Sequence, residues 1–182
     1  MKRNYTDIIM AAVLILAVAA MRIITAELRL PNYTPVEAVG LFAGAVILDK
    51  KYAYILPLLT MFIADTYFQF FTTVNGFYGF EQVIVYIAMA LVTFMGTKMG
   101  KINGIKVLGY SITGSFVFFA LSNFSYFLAG WNGYTTSGFI KTYIDALEFY
   151  RTSLTVNLVG SIVLFGLYFT SKNVIARQPQ NA

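Results

Sequence analysis

The chain reads as an all-α integral membrane protein, a single membrane domain over residues 1–182. Six transmembrane helices are expected, with cytoplasmic N and C termini and an amphipathic interfacial helix before the sixth. Three observations predict this. Hydrophobic residues make up 58% of the chain and charged residues only 12%, against about 25% charged in a soluble domain. Apolar runs recur between short loops, most of them near the roughly 20 residues that a membrane span requires. Lys and Arg gather in alternate loops, as they do in multi-pass proteins.

Residues 8–24, IIMAAVLILAVAAMRII, are the first apolar run, and the first helix is placed at about 5–25. Lys2 and Arg3 before it, with Ala17-Val18-Ala19 inside it, also fit a cleavable signal peptide. Pro31 and Pro35 bracket the next turn. Thr34-Pro35-Val36-Glu37 then reads as a helix start, with Thr34 at the N-cap, Pro35 at the first helical position and Glu37 closing a capping box. The second helix, about 35–48, is short for a span, and a re-entrant hairpin competes with it. Asp49-Lys50-Lys51 weighs against the hairpin, because two ammonium groups at its tip would each cost about 2.5–3.5 kcal/mol in hydrocarbon.

The third helix covers about 52–68. Pro57 should kink it, since the proline ring removes one backbone hydrogen bond. Residues 69–79, QFFTTVNGFYG, form an uncharged aromatic loop. The fourth helix follows at about 81–98, the glycines of MGKINGIK break the chain, and the fifth runs over about 107–128. Over about 138–149, Phe139, Ile140, Tyr143, Ile144 and Leu147 recur at helical spacing, opposite Lys141, Thr142, Asp145 and Glu148. That pattern marks the interfacial helix. The sixth helix is placed at about 151–171. With the N-terminus inside, the cytoplasmic loops hold Lys2, Arg3, Lys50, Lys51, Lys98, Lys101, Lys106, Lys172 and Arg177, while the outer side holds only Arg22, Arg29, Lys141 and Arg151.

Composition also narrows the chemistry. There is no Cys and no His, so a thiolate nucleophile, a Ser-His-Asp triad, a disulfide and a His or Cys zinc site are all ruled out. No G-x-x-x-x-G-K-[ST] loop occurs. No cofactor, no metal and no nucleic-acid partner is expected, because the net charge of +5 lies mostly in short loops rather than in one basic face. An enzyme is not expected either, since no nucleophile-base pair is visible.

The acids Glu27, Glu37, Asp65, Glu81, Asp145 and Glu148 fall on the outer side. The capping box accounts for Glu37. Asp65 stands in the last turns of its helix, where the negative end of the dipole opposes an anion, so it needs a partner. Arg151, at the start of the sixth helix, is the expected partner, and two independently solvated residues are the alternative. Ser153, Asn157 and Ser161 form a polar stripe at i, i+4 and i+8 below Arg151, and Ser115, Ser122 and Asn123 do much the same on the fifth helix. Either stripe serves as interhelical hydrogen bonding, worth about 0.6 kcal/mol per contact, or as the floor of a pocket. Gly40-x-x-x-Gly44 predicts a close helix approach. Phe71, Phe77 and Tyr78 either anchor the interface or form a lid beside Asn32, Asn75 and Asn132.

Asn32-Tyr33-Thr34-Pro35-Val36, Leu41-Phe42-x-Gly44-Ala45, Pro57-Leu58, Ala64-Asp65, Asn123-Phe124 with Ala129-Gly130, and Phe149-Tyr150-Arg151-x-x-Leu154 carry a resemblance over about residues 5–170. The chain resembles a family of small bacterial six-helix membrane proteins related to the substrate-binding S components of energy-coupling-factor (ECF) transporters, including the solitary vitamin B12 type. The resemblance implies capture of a vitamin or related micronutrient at outer loops 1, 3 and 5, in the bacterial cytoplasmic (inner) membrane. A corrinoid is the leading ligand it suggests, and an ECF-type transmembrane and ATPase module is the partner it suggests, besides the lipid bilayer. Two departures stand out. The alanines of the first helix, Ala11, Ala12, Ala17, Ala19 and Ala20, never take the Ala-x-x-x-Ala spacing of S-component docking, and no cysteine is present to ligate cobalt. The expected substrate site comprises Asn32, Asp65, Asn123, Arg151 and Asn157, with Phe71, Phe77 and Tyr78 as lid. The alternative function is a structural or assembly membrane protein without a small-molecule ligand.

Overall fold

The computed structural model describes residues 5–30 and 32–177, with side-chain surroundings for 8–30 and 32–173. Pro31 of the expected turn and the charges of Lys2, Arg3 and Arg177 lie outside the described side chains. Six helices follow in order: α1 Tyr5–Glu27, α2 Val36–Val46, α3 Lys50–Phe71, α4 Phe80–Thr97, α5 Gly104–Leu128 and α6 Thr136–Arg177. No strand occurs among the described residues. By length and apolarity α1, α3, α4, α5 and α6 can each cross a membrane.

The second helix is the exception. It has 11 residues, about 16 Å at 1.5 Å per residue, roughly half of a bilayer's hydrocarbon thickness. All of it except Val36 and Ala45 is buried, and it packs against each of the other five helices. A helix apolar on every side belongs inside the bundle. Phe42 sits at the centre of the core with its ring edge-on to Phe165 at 5.3 Å and to Tyr168 at 5.7 Å, beside Ile15, Leu41, Ile47 and Val92.

The Gly40-x-x-x-Gly44 contact forms, and α4 is the partner. A Cβ on Gly44 would lie 2.0 Å from the Thr93 carbonyl oxygen, and one on Gly96 of α4 would lie 2.3 Å from the Leu41 carbonyl oxygen, so the two backbones touch with no room for a side chain. In α1, Ala11, Ile15 and Val18 enter the core. Asp49 caps α3 by accepting from the Lys51 N–H at 3.1 Å, and Asn103 caps α5 by accepting from the Lys106 N–H at 2.9 Å. Pro57 lies inside α3 and is buried.

Two expectations need correction. The capping box does not form: Thr34 Oγ1 is 2.8 Å from Thr25 Oγ1, and no side chain of the preceding turn caps α2. Instead the Ala38 N–H donates to Asn157 Oδ1 of α6 at 3.0 Å, a cap supplied from 119 residues away. The second correction concerns the break between the interfacial helix and the sixth helix. Residues 136–177 are one helix of 42 residues, about 63 Å long. Its first turns stay helical because they pack along α5, where the Tyr143 hydroxyl donates to the Ala120 carbonyl at 2.8 Å and Phe119 lies 4.5 Å from Tyr150.

Candidate functional site

At one end of the bundle α1, α3 and α5 finish and α2 and α4 begin. The loop from α1 to α2 shapes that end. The Leu30 N–H donates to the Thr25 carbonyl at 2.8 Å and the Arg29 N–H to the Ala26 carbonyl at 2.9 Å, which closes α1 with Arg29 left-handed at φ 57°. Asn32 is also left-handed, at φ 62°, a conformation that asparagine tolerates better than most residues.

Below this loop lies a cavity of about 370 Å³, lined by Arg22, Thr25, Asn32, Thr34, Glu37, Met61, Phe68, Tyr78, Val85, Phe118, Ser122 and Ser153 among others. A second lobe of about 240 Å³ shares Asn32, Glu37, Phe118, Ser122 and Ser153, then continues to Phe119, Asn123, Phe149 and Tyr150. A third, of about 250 Å³, shares Asn123, Ala146 and Phe149 and reaches Asn132 and Asp145. A larger groove of about 490 Å³ lies at the opposite end, between α5 and α6, with mostly apolar walls such as Val107, Leu108, Ile162 and Phe165.

Two polar clusters flank the first cavity. In one, Arg22 Nη2 donates to Asp65 Oδ1 at 2.8 Å, while Asp65 Oδ2 accepts from Gln82 Nε2 at 2.9 Å and from the Tyr86 hydroxyl at 2.7 Å. Gln82 also donates to the Gly76 carbonyl at 3.0 Å. Gly76 is required there, because a Cβ would fall 1.7 Å from the Asp65 carbonyl oxygen. The Arg22 guanidinium lies 5.5 Å from the Phe68 ring centroid. Asp65 is almost wholly buried and both of its oxygens are occupied.

The other cluster is built on Glu37, which is 5% exposed. Its Oε1 accepts from the Ser153 hydroxyl at 3.0 Å, and its Oε2 accepts from Asn157 Nδ2. Asn157 is itself held by the Ser153 carbonyl at 2.9 Å. So the i, i+4 stripe on α6 does two jobs, capping α2 and gripping its first-turn acid. Among the described residues no cation pairs with Glu37. Above the cavity, Tyr78 sits in the α3–α4 loop. Its burial, then the charge of Asp65, push its phenol above the usual range, so it stays a hydrogen-bond donor.

Of the expected site residues, Asn32 and Tyr78 line the first cavity and Asn123 lines the second and third. Asp65 stands behind Arg22, and Asn157 behind Glu37, one layer from the space itself. Three lie apart from these walls. Arg151 is exposed; Phe71, 74% exposed, stacks on Tyr67 at 5.4 Å; and Phe77 leans on Phe62 at 5.8 Å. The expected Asp65–Arg151 pair is replaced by Asp65–Arg22. The reason is topological: α3 packs against α1, α2 and α4 and does not touch α6. The sequence reading also passed over Arg22, Thr25 and Phe118 as wall residues, and set Glu37 aside as a cap. A signal for Arg22 existed, since it is a cation inside the first apolar run and a buried charge there needs a counter-ion.

The chain belongs to DUF6580, a family of unknown function, whose model matches residues 2–179. No curated protein and no solved structure matches it.

Proposed function

We propose that this member of DUF6580 is a membrane-embedded substrate-capture protein of S-component type, binding a vitamin-like small molecule in the cavity under the α1–α2 loop. The observation that carries the reading is that cavity. Its volume of about 370 Å³ falls at the lower end of the roughly 300–1,000 Å³ of small-molecule sites, and it joins aromatic walls to a few converging polar groups. The volume suits a ligand smaller than a corrinoid, which would need the lobes to open.

In this reading the chain is a multi-pass protein of the bacterial inner membrane with both termini cytoplasmic, so that the cavity opens outward. The loop distribution of Lys and Arg supports the orientation. The first helix is retained, consistent with the burial of Ala11, Ile15 and Val18. The first turns of α6 run along the outer interface, because 42 residues exceed the roughly 20 that cross the hydrocarbon. The α2 helix completes the set of six inside the bundle without spanning its full depth. An ECF-type transmembrane and ATPase module remains the proposed partner.

One observation favours the structural alternative: every oxygen of Asp65 and of Glu37 already has a donor within the protein. Native mass spectrometry of the gently purified chain separates the two. Capture predicts a stoichiometric small molecule that is lost in Asn32→Gly, which keeps the left-handed turn while removing the side chain. A clean apo mass for the unaltered chain would overturn capture and leave the scaffold reading.

A further inference from the structure

The polar groups of the cavity are unevenly paired. Two of its ionisable wall residues, Arg22 and Glu37, differ in how they are satisfied. Arg22 is neutralised by Asp65 at 2.8 Å. Among the described residues Glu37 meets neutral donors, its own backbone N–H, Ser153 and Asn157, at the N-terminus of α2, where the helix dipole favours an anion. The result is one carboxyl group with no counter-ion among the described residues, held on the shared wall of two lobes. Aromatic rings line the same space, Phe118 in both lobes and Phe119 and Tyr150 in the second. A carboxylate beside aromatic faces recognises a desolvated organic cation through charge-assisted hydrogen bonds and cation–π attraction.

We propose that Glu37 is the charge-recognising residue of the cavity, and that the ligand is a small organic cation, a protonated amine or amidine carried on an apolar or aromatic body. The inference rests on the capture reading and names its substrate class. The walls do not suit a carboxylate ligand, because the cation available to meet it is already engaged by Asp65. The rim is mixed in charge: Glu27 and Glu81 stand at this end of the bundle with the exposed Arg29 and Arg151, while Lys141 is bound to Asp145 at 2.6 Å.

The test uses the full chain in detergent and three compounds of one shape: benzamidine, benzamide and benzoate. Binding is read by calorimetry and by the shift in melting temperature. Benzamidine should bind about tenfold or more tightly than benzamide, the scale of a charge-assisted hydrogen bond, and benzoate should bind least. Glu37→Gln should abolish that preference. Comparison of the three compounds on the unaltered chain needs no variant to fold. If benzamide or benzoate matches benzamidine, or if folded Glu37→Gln keeps the preference, the cation assignment falls while the cavity remains a binding site. If none of the three binds at millimolar concentration, the assignment also falls, and the capture reading is then decided separately by the co-purified mass.

Discussion

Removing Arg22 would strand the Asp65 carboxylate in a site where its side chain is 2% exposed. A buried charge that loses its partner costs about 3–5 kcal/mol, far more than an exposed charge, which changes stability within about 0.5 kcal/mol. Arg22→Ala should therefore lower the unfolding midpoint in detergent sharply, while Arg151→Ala should leave it near the original value. Equal effects would mean that Asp65 draws its compensation from elsewhere. The same reasoning separates the two acids. Asp65 ties α1 to α3 and α4, and its two oxygens are filled. Glu37 ties α2 to α6 and faces open space.

At the level of elements, α2 is positioned by what it lacks. Its glycines remove the side chains that would hold α4 away, and the carbonyls of Thr93 and Leu41 sit where Cβ atoms would be. Gly44→Ala should destabilise the fold by about 1–3 kcal/mol, as overpacking does. Gly166→Ala, with open space around it, should be neutral or slightly stabilising, since alanine is the better helix former. Chemical unfolding of the two variants side by side tests this. For α6, continuity is measurable as a length. Spin labels at the exposed positions Lys141 and Ser171 should report about 45 Å between the labelled backbones, 30 residues at 1.5 Å each, with one narrow distribution. A helix broken near Tyr150 would give a shorter and broader one.

At the scale of the molecule, the cavity end gathers the α1–α2, α3–α4 and α5–α6 loops, and the opposite end the α2–α3 and α4–α5 loops. The absence of native cysteine makes this directly testable. Single cysteines at the exposed positions Trp131 and Lys101 should react differently with an impermeant maleimide on intact cells: the first without permeabilisation, the second only after it. The reverse pattern would invert the orientation and close the cavity to the outside.

The all-helical class with helices long and apolar enough to cross a membrane, the bounds of five helices to within a few residues and the Gly40–Gly44 approach were legible in the sequence, because each depends on local hydrophobicity, helix length or side-chain size. Helix 6 was misjudged at its start because an amphipathic pattern records which face is buried and says nothing about whether the axis bends. Within the candidate site, Asn32, Tyr78 and Asn123 were legible as polar or aromatic residues gathered at one end of the expected bundle, two in loops and Asn123 in the last turns of the fifth helix. Which cation meets Asp65, 43 residues away, and which groups grip Glu37, 116 and 120 residues away, were decided by tertiary structure alone. Charges choose partners by distance in space, and that distance depends on which helices pack together: α1 against α3, and α2 against α6.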